Sequence, residues 1–152
     1  MTDSMDIRAL QKHDLDQLLA LYEHLNPADR ALPPRPQVDA IWDELLASPR
    51  YRYFGGFIGD QLLCSCTLTV IPNLTRGCAP YGLIENVVTH VDHRNKGHGK
   101  ALLARAVDAA WSDGCYKVML MTSRKDPAVH AFYRSAGFDG GDKTAYVMRA
   151  RN

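Results

Sequence analysis

The residues best suited to chemistry form one uninterrupted turn, Arg94-Asn95-Lys96-Gly97-His98-Gly99-Lys100. A strand-like run, Leu83 to Thr89, leads into it, and an amphipathic run from Lys100 through Trp111 leaves it. A glycine-rich turn that opens a helix gathers backbone N–H groups in one concavity at the positive end of the helix dipole, which suits a phosphate or pyrophosphate. Arg94, Lys96 and Lys100 add positive charge, and Gly97 and Gly99 permit unusual backbone angles and close approach of a ligand. A P-loop is excluded, because no Gly-Lys-Ser/Thr follows a four-residue spacer. The dinucleotide fingerprint is excluded too: the turn has two glycines and falls late in the chain. A basic turn without a ligand fits the same residues.

A second block, Val129-His130-Ala131-Phe132-Tyr133-Arg134-Ser135-Ala136-Gly137-Phe138, follows another strand-like run, Cys115 to Thr122. The R-x-x-G-x-G turn resembles the acetyl-CoA pyrophosphate loop of the GNAT superfamily of N-acyltransferases, and this block resembles its FY-x-x-x-GF signature. The two stand in the family's order, separated by one helix and one strand. The resemblance covers residues 83–138 well and the rest by element order.

The resemblance implies an α/β (α+β) fold with a mixed, mostly antiparallel central sheet flanked by helices. Its fourth and fifth strands would splay apart and admit the pantetheine arm of acetyl-CoA. The main chain of Val87, Val88 and Thr89 would pair with the pantetheine amides. Arg94, Asn95, Lys96, Gly97, His98, Gly99 and Lys100 would hold the pyrophosphate, with the backbone N–H groups of 95–100 as the main donors. Phe132 would pack on the cofactor. Tyr133 matches the tyrosine that protonates the leaving thiolate in related transferases; a phenol near pKa ~10 suits a thiol near ~8.5. Aromatic packing is the other reading of Tyr133. Asp126 stands where many members carry an asparagine that contacts the pantetheine, and an ionised acid cannot donate there.

Acyl transfer also needs an amine freed of its proton. Glu85, in the run Leu83-Ile84-Glu85-Asn86-Val87, is the candidate to bind the ammonium or take its proton, the alternative being a surface or ion-paired glutamate. Strand alternation places Asn86 on the opposite face. His90 is a second candidate base, while His93, His98 and His130 read as ordinary polar residues of the motif region. No cysteine lies in either motif, so direct attack of the amine on acetyl-CoA is expected.

The acceptor is less determined. Glu85-Asn86, Gly114-Cys115-Tyr116-Lys117 and the FY-x-x-x-GF block resemble eukaryotic glucosamine-6-phosphate N-acetyltransferases, implying a small primary amine such as an amino sugar or its phosphate. Arg35, Arg76, Arg124, Lys125 and Lys143 are candidates to hold a substrate anion. The Leu32–Pro36 loop and the Gly140–Thr144 stretch depart from that pattern. Acetylation of a protein lysine or N-terminus, and a non-catalytic acyl-CoA-binding module, remain open alternatives.

The elements around these motifs follow from periodicity and punctuation. Residues 1–152 are expected to form one domain. Strands are expected at Met5–Leu10, Tyr51–Ile58, Gln61–Ile71, Tyr81–Thr89, Cys115–Thr122 and, after Phe138, over Thr144–Arg149. Helices are expected from Asp14 to about Leu25, from about Gln37 to Ala47, through the run after the glycine turn, and from about Pro127 to Ala136. Ala31–Pro36 reads as loop. In the third strand Leu62, Cys64, Cys66, Leu68 and Val70 should share one face. Strands four and five should be parallel neighbours. A formal net charge of +1 argues against a nucleic-acid partner. No apolar run is long enough for a membrane, and Met1–Asp6 lacks the pattern of a leader, so a cytoplasmic location is expected. The four cysteines show no zinc-ligand spacing, and no metal is expected. The family likeness and the apolar Ala145-Tyr146-Val147-Met148 suggest a homodimer.

Overall fold

A computed structural model describes residues 4–151. The opening Met1–Asp3 of the stretch read for a leader, and Asn152, lie outside the described residues. The chain groups into two compact units, one ending at Leu120 and the other starting at Met121.

The first unit is a five-stranded sheet with helices. Its strands are β1 (Asp6–Ala9), β2 (Tyr51–Ile58), β3 (Gln61–Ile71), β4 (Tyr81–Thr89) and β5 (Val118–Leu120), and its helices are α1 (Leu15–Leu25), α2 (Arg35–Ala47) and α3 (His98–Ser112). The strands lie side by side in chain order. All neighbours are antiparallel except β4 and β5, which run parallel as expected. β2, β3 and β4 have the predicted bounds because Gly59-Asp60 and the prolines around them punctuate strongly.

Two helices start earlier than expected. Arg35 and Pro36, assigned to a loop, form the first turn of α2. A proline there removes an N–H that has no partner inside the helix anyway. α3 begins at His98 rather than Lys100 because Gly97, at φ 82°, turns the chain straight into the helix. β5 is shorter than the predicted Cys115–Thr122. The Cys115 N–H donates to the Ala110 carbonyl and the Tyr116 N–H to that of Pro80, so this segment closes the α3 exit before strand pairing starts.

α1 and α2 bury Leu15, Leu18, Leu21, Val38 and Trp42 with Leu10, just after β1, and with Phe57, Leu62 and Val88 of the sheet. α3 buries Leu102, Leu103, Ala106 and Ala110 completely or nearly so. A β-carbon on Gly82 would lie 3.0 Å from Leu68 and 3.5 Å from Ala110, so this glycine lets α3 settle close to the sheet. β3 is therefore buried on both faces from Leu62 to Leu68. Its alternation is interrupted: Gly56 pairs with Cys64 and Phe57 with Leu62, leaving Leu63 as an extra residue. Leu62 thus joins the α1–α2 core and does not share the face of Cys64 as the simple alternation predicts. Cys64 and Cys66 are fully buried, and burial pushes their thiols up to about 11 and about 12, as suits small core residues.

One ion pair fixes the β1–α1 junction. Asp14 is 1% exposed and accepts from Arg8 at 2.7 and 3.0 Å and from the Gln11 N–H at 2.7 Å. The Arg8 hydrogen bonds hold its carboxyl below the usual range against the opposing effect of burial. Asp14→Ala should therefore cost about 2–4 kcal/mol in urea unfolding at neutral pH, because it strands these donors. A carboxylate depressed in the folded state stabilises above its unfolded pKa of ~3.9, and loses that contribution as pH falls through its native value. The difference between wild type and variant should accordingly shrink in acid; a pH-independent difference would contradict the assignment.

The second unit contains α4 (Pro127–Ser135). Among the described residues it has no strand, so the expected strand at Thr144–Arg149 is not formed. Strand propensity needs a partner ladder, and here Tyr146, Val147 and Met148 are 92%, 67% and 98% exposed.

Candidate active site

β4 carries the first part of the site. β5 pairs with it only along Gly82–Ile84, so from Glu85 to Thr89 that edge of β4 has no partner strand among the described residues. Such an edge presents backbone groups that can pair with an extended amide-containing chain. The strand is also bulged here. Thr67 pairs with Glu85 and Ser65 with Val88, so Asn86 and Val87 together face the single residue Cys66. Asn86 takes φ 53°, a left-handed conformation that asparagine tolerates better than most residues. Glu85 and Asn86 are both exposed, while Val88 returns to the core.

A single 3-10 turn, Val91–His93, links β4 to the glycine turn. Asn95 and Gly97 are both left-handed, at φ 61° and 82°, which folds the turn tightly. Gly97 is the N-cap of α3 and supplies no side-chain cap, so the first-turn N–H groups keep their outward-facing hydrogen-bonding capacity. Arg94 is engaged with the protein itself. It donates from Nε to the Thr89 carbonyl at 3.1 Å and from a terminal nitrogen to the His24 carbonyl at 3.2 Å, tying the turn to β4 and α1. Lys96 donates to the Asp92 carbonyl at 3.3 Å. His98 and Gly99 are partly buried in the first turn of α3, and Lys100 is exposed there.

Four imidazoles line this region. Ring centroids are 4.1 Å apart for His24 and His90, 5.4 Å for His90 and His93, and 6.5 Å for His93 and His98. Burial, then the charges of Lys96, His90 and His98, hold His93 below its ordinary value. His90 Nδ1 accepts from the Asp92 N–H at 3.2 Å. The neutral ring then carries its proton on Nε2 and has no second lone pair to offer, which counts against His90 as the base. His24 had no sequence signal, since its place beside His90 depends on how α1 docks. His130 belongs to α4 instead, with Nε2 2.9 Å from the Arg124 carbonyl.

In the second unit, Phe132 and Tyr133 lie on α4 with ring centroids 5.1 Å apart, and Tyr133 stands 6.4 Å from Phe138. Tyr133 is partly buried. Asp126 caps α4, its Oδ1 accepting from the Ala128 N–H at 2.9 Å, so the acid has a structural task at this position. Arg35, a candidate for a substrate anion, is paired with Asp16 at 2.6 Å and Asp39 at 2.7 Å. Among the described residues no group of His, Cys, Asp or Glu has the geometry of a metal site.

A half-paired strand, a bulge, and a left-handed turn into a helix without a side-chain cap follow one another in a single stretch of chain, and each leaves backbone groups that can receive a ligand. Comparison with known proteins supplies the class. The model of the acetyltransferase (GNAT) family matches residues 18–138, and the chain belongs to that family. It is 34% identical over 148 residues to a glucosamine 6-phosphate N-acetyltransferase of Trypanosoma brucei brucei, covering 91% of this chain and 92% of that protein. Among solved structures, it superposes on a putative acetyltransferase from Agrobacterium tumefaciens str. C58 with a TM-score of 0.89 at 41% identity, covering 95% of this chain and 99% of the other. The glucosamine-6-phosphate N-acetyltransferase of Arabidopsis thaliana gives a TM-score of 0.84 at 21% identity, covering 98% and 99%, a likeness of fold.

Proposed function

We propose that this acetyltransferase moves an acetyl group from acetyl-CoA to the primary amine of a small molecule, with an amino sugar or its phosphate as the acceptor class. The observation that carries the reading is the unpaired edge of β4 running through a bulge into the left-handed turn before α3, all inside the family-matched region. The acceptor class rests on the trypanosomal relative that covers nearly the whole chain.

Acetyl-CoA supplies the activated acyl thioester. The main chain of Val87, Val88 and Thr89 would pair with its amides, and the N–H groups from Asn95 to Lys100 would hold its diphosphate. Phe132 would pack against it. Glu85, exposed on the bulge, would bind the acceptor ammonium and take its proton. Tyr133 would return a proton to the departing thiolate. The new C–N bond forms as the C–S bond breaks; of the two protons the ammonium nitrogen loses, one goes to Glu85 and the other replaces the proton that Tyr133 gives to the thiolate. The reaction as drawn uses no metal, and no nucleic acid or membrane takes part. A cytoplasmic location belongs to the same reading.

A thiol-release assay with acetyl-CoA, run across amino sugars, amino-sugar phosphates, amino acids, polyamines, aminoglycosides and peptides, tests it. Release with an amino sugar or its phosphate, confirmed as an amide by mass, is expected. Release with peptides alone would replace small-molecule transfer by protein acetylation.

The same reading includes a homodimer. Tyr146 and Val147 are strand-forming types, Met148 is apolar, and the three have no strand partner among the described residues; a second chain would supply one. Sedimentation at micromolar concentration should give about twice the 17.0 kDa chain mass. A mass near that of one chain would overturn the dimer.

A further inference from the structure

We propose that Tyr22 and Thr67 are positioning residues that lock the β4 bulge and thereby aim Glu85 at the acceptor amine. Tyr22 comes from the C-terminal half of α1, and Thr67 from β3, where it stands directly opposite Glu85. The Tyr22 hydroxyl and Thr67 Oγ1 are both buried, and neither makes a hydrogen bond of normal geometry. Tyr22 and Tyr53 pack on the same core, and Tyr53 pairs directly with Thr67 across β2 and β3. Burial raises the Tyr22 phenol well above its usual range, and the Thr67 and Asn86 side chains are close enough to act on it in the opposite sense. Tyr53 from β2 reaches the same Thr67 hydroxyl. Three elements of the first unit thus send polar groups to one point beneath the left-handed Asn86.

Two neighbouring buried hydroxyls without partners are unfavourable unless something joins them. A phenol kept neutral over the whole working pH range is a permanent donor. Thr67 can accept from it and donate onward, and the Asn86 amide oxygen can accept. A small closing movement connects the three, and it pins the one residue of β4 whose backbone is strained. Asn86 in a left-handed conformation persists only where its surroundings hold it there. Glu85 directly precedes the bulged Asn86-Val87 pair, so whatever holds the bulge also fixes the backbone from which Glu85 projects. The lock follows from the first unit alone; the consequence for the amine rests on the acetyl-transfer reading above.

The test is Tyr22→Phe, with Thr67→Val and Thr67→Ser beside it. Hydrogen exchange over residues 85–88 should accelerate by about 10-fold or more in Tyr22→Phe and Thr67→Val and stay near wild type in Thr67→Ser, which keeps the hydroxyl. In the same two variants kcat/KM for the amine should fall by roughly 10-fold, while the acetyl-CoA Kd stays within about twofold. Unchanged exchange in folded Tyr22→Phe overturns the lock. Faster exchange with unchanged kcat/KM overturns the positioning of Glu85. Faster exchange in a protein whose wild type acetylates no amine removes the acetyl-transfer reading, and the role of Glu85 with it, while the lock stands on its own.

Discussion

Tyr133→Phe should lower kcat by roughly 10- to 10⁴-fold, with acetyl-CoA affinity nearly unchanged. The substitution keeps the ring, and so keeps the contacts with Phe132 at 5.1 Å and Phe138 at 6.4 Å that fix it on α4. It removes only the hydroxyl. A thiolate is a poor group to expel into a protein without a proton, and on the proposed mechanism Tyr133 is the residue that provides one. The loss should therefore appear in the chemical step and not in binding. It should also shrink for acyl thioesters with a more acidic thiol, whose departure needs less help. Pre-steady-state turnover separates chemistry from product release. A variant with full kcat in a regime limited by chemistry would remove Tyr133 from the mechanism and leave it as packing.

Gly97→Val should raise the Kd of acetyl-CoA by about 100-fold. Gly97 sits at φ 82°, and a β-carbon there would meet no described protein atom within 4 Å beyond its own chain neighbours. Crowding within the protein is thus not the source of the effect. A β-branched residue in the left-handed region costs about 1–2 kcal/mol, which favours a rearranged turn in which the α3 N–H groups no longer converge. The added side chain would also occupy the open space through which a diphosphate approaches the backbone. The far-UV spectrum should move little, since α3 is anchored further along by buried Leu102, Leu103, Ala106 and Ala110, while the unfolding midpoint should fall by only a few degrees. Calorimetry showing wild-type affinity in the folded variant would take the diphosphate off this turn.

The sequence was most legible where local rules act alone. Alternation between strong turn signals set the bounds of β2, β3 and β4, and the glycine turn and aromatic block pointed to the family. It was least legible where one segment depends on another. The bulges at Leu63 and at Asn86-Val87 arise from register with a neighbouring strand, and neither residue type announces them. Asp14 reads as a helix opener; its buried pairing with Arg8 needs β1 and α1 brought together. Tyr22 reads as one more apolar residue on the α1 stripe, and only its docking beside Thr67 makes its hydroxyl matter. The short β5 was cut back by backbone bonds to Pro80 and Ala110 that no propensity encodes.

The distribution of thiols bears on how this protein will behave at the bench. Cys64, Cys66 and Cys115 are buried, and burial raises all three, leaving very little thiolate at neutral pH. Cys78 is exposed, in the turn between β3 and β4. A colorimetric disulfide reagent that reports released coenzyme should therefore read a fast baseline of one equivalent per folded chain, rising to four only on unfolding. Blocking Cys78 beforehand would make the protein silent to the reagent, and slow creep of the baseline above one equivalent would serve as a built-in gauge of denaturation during turnover.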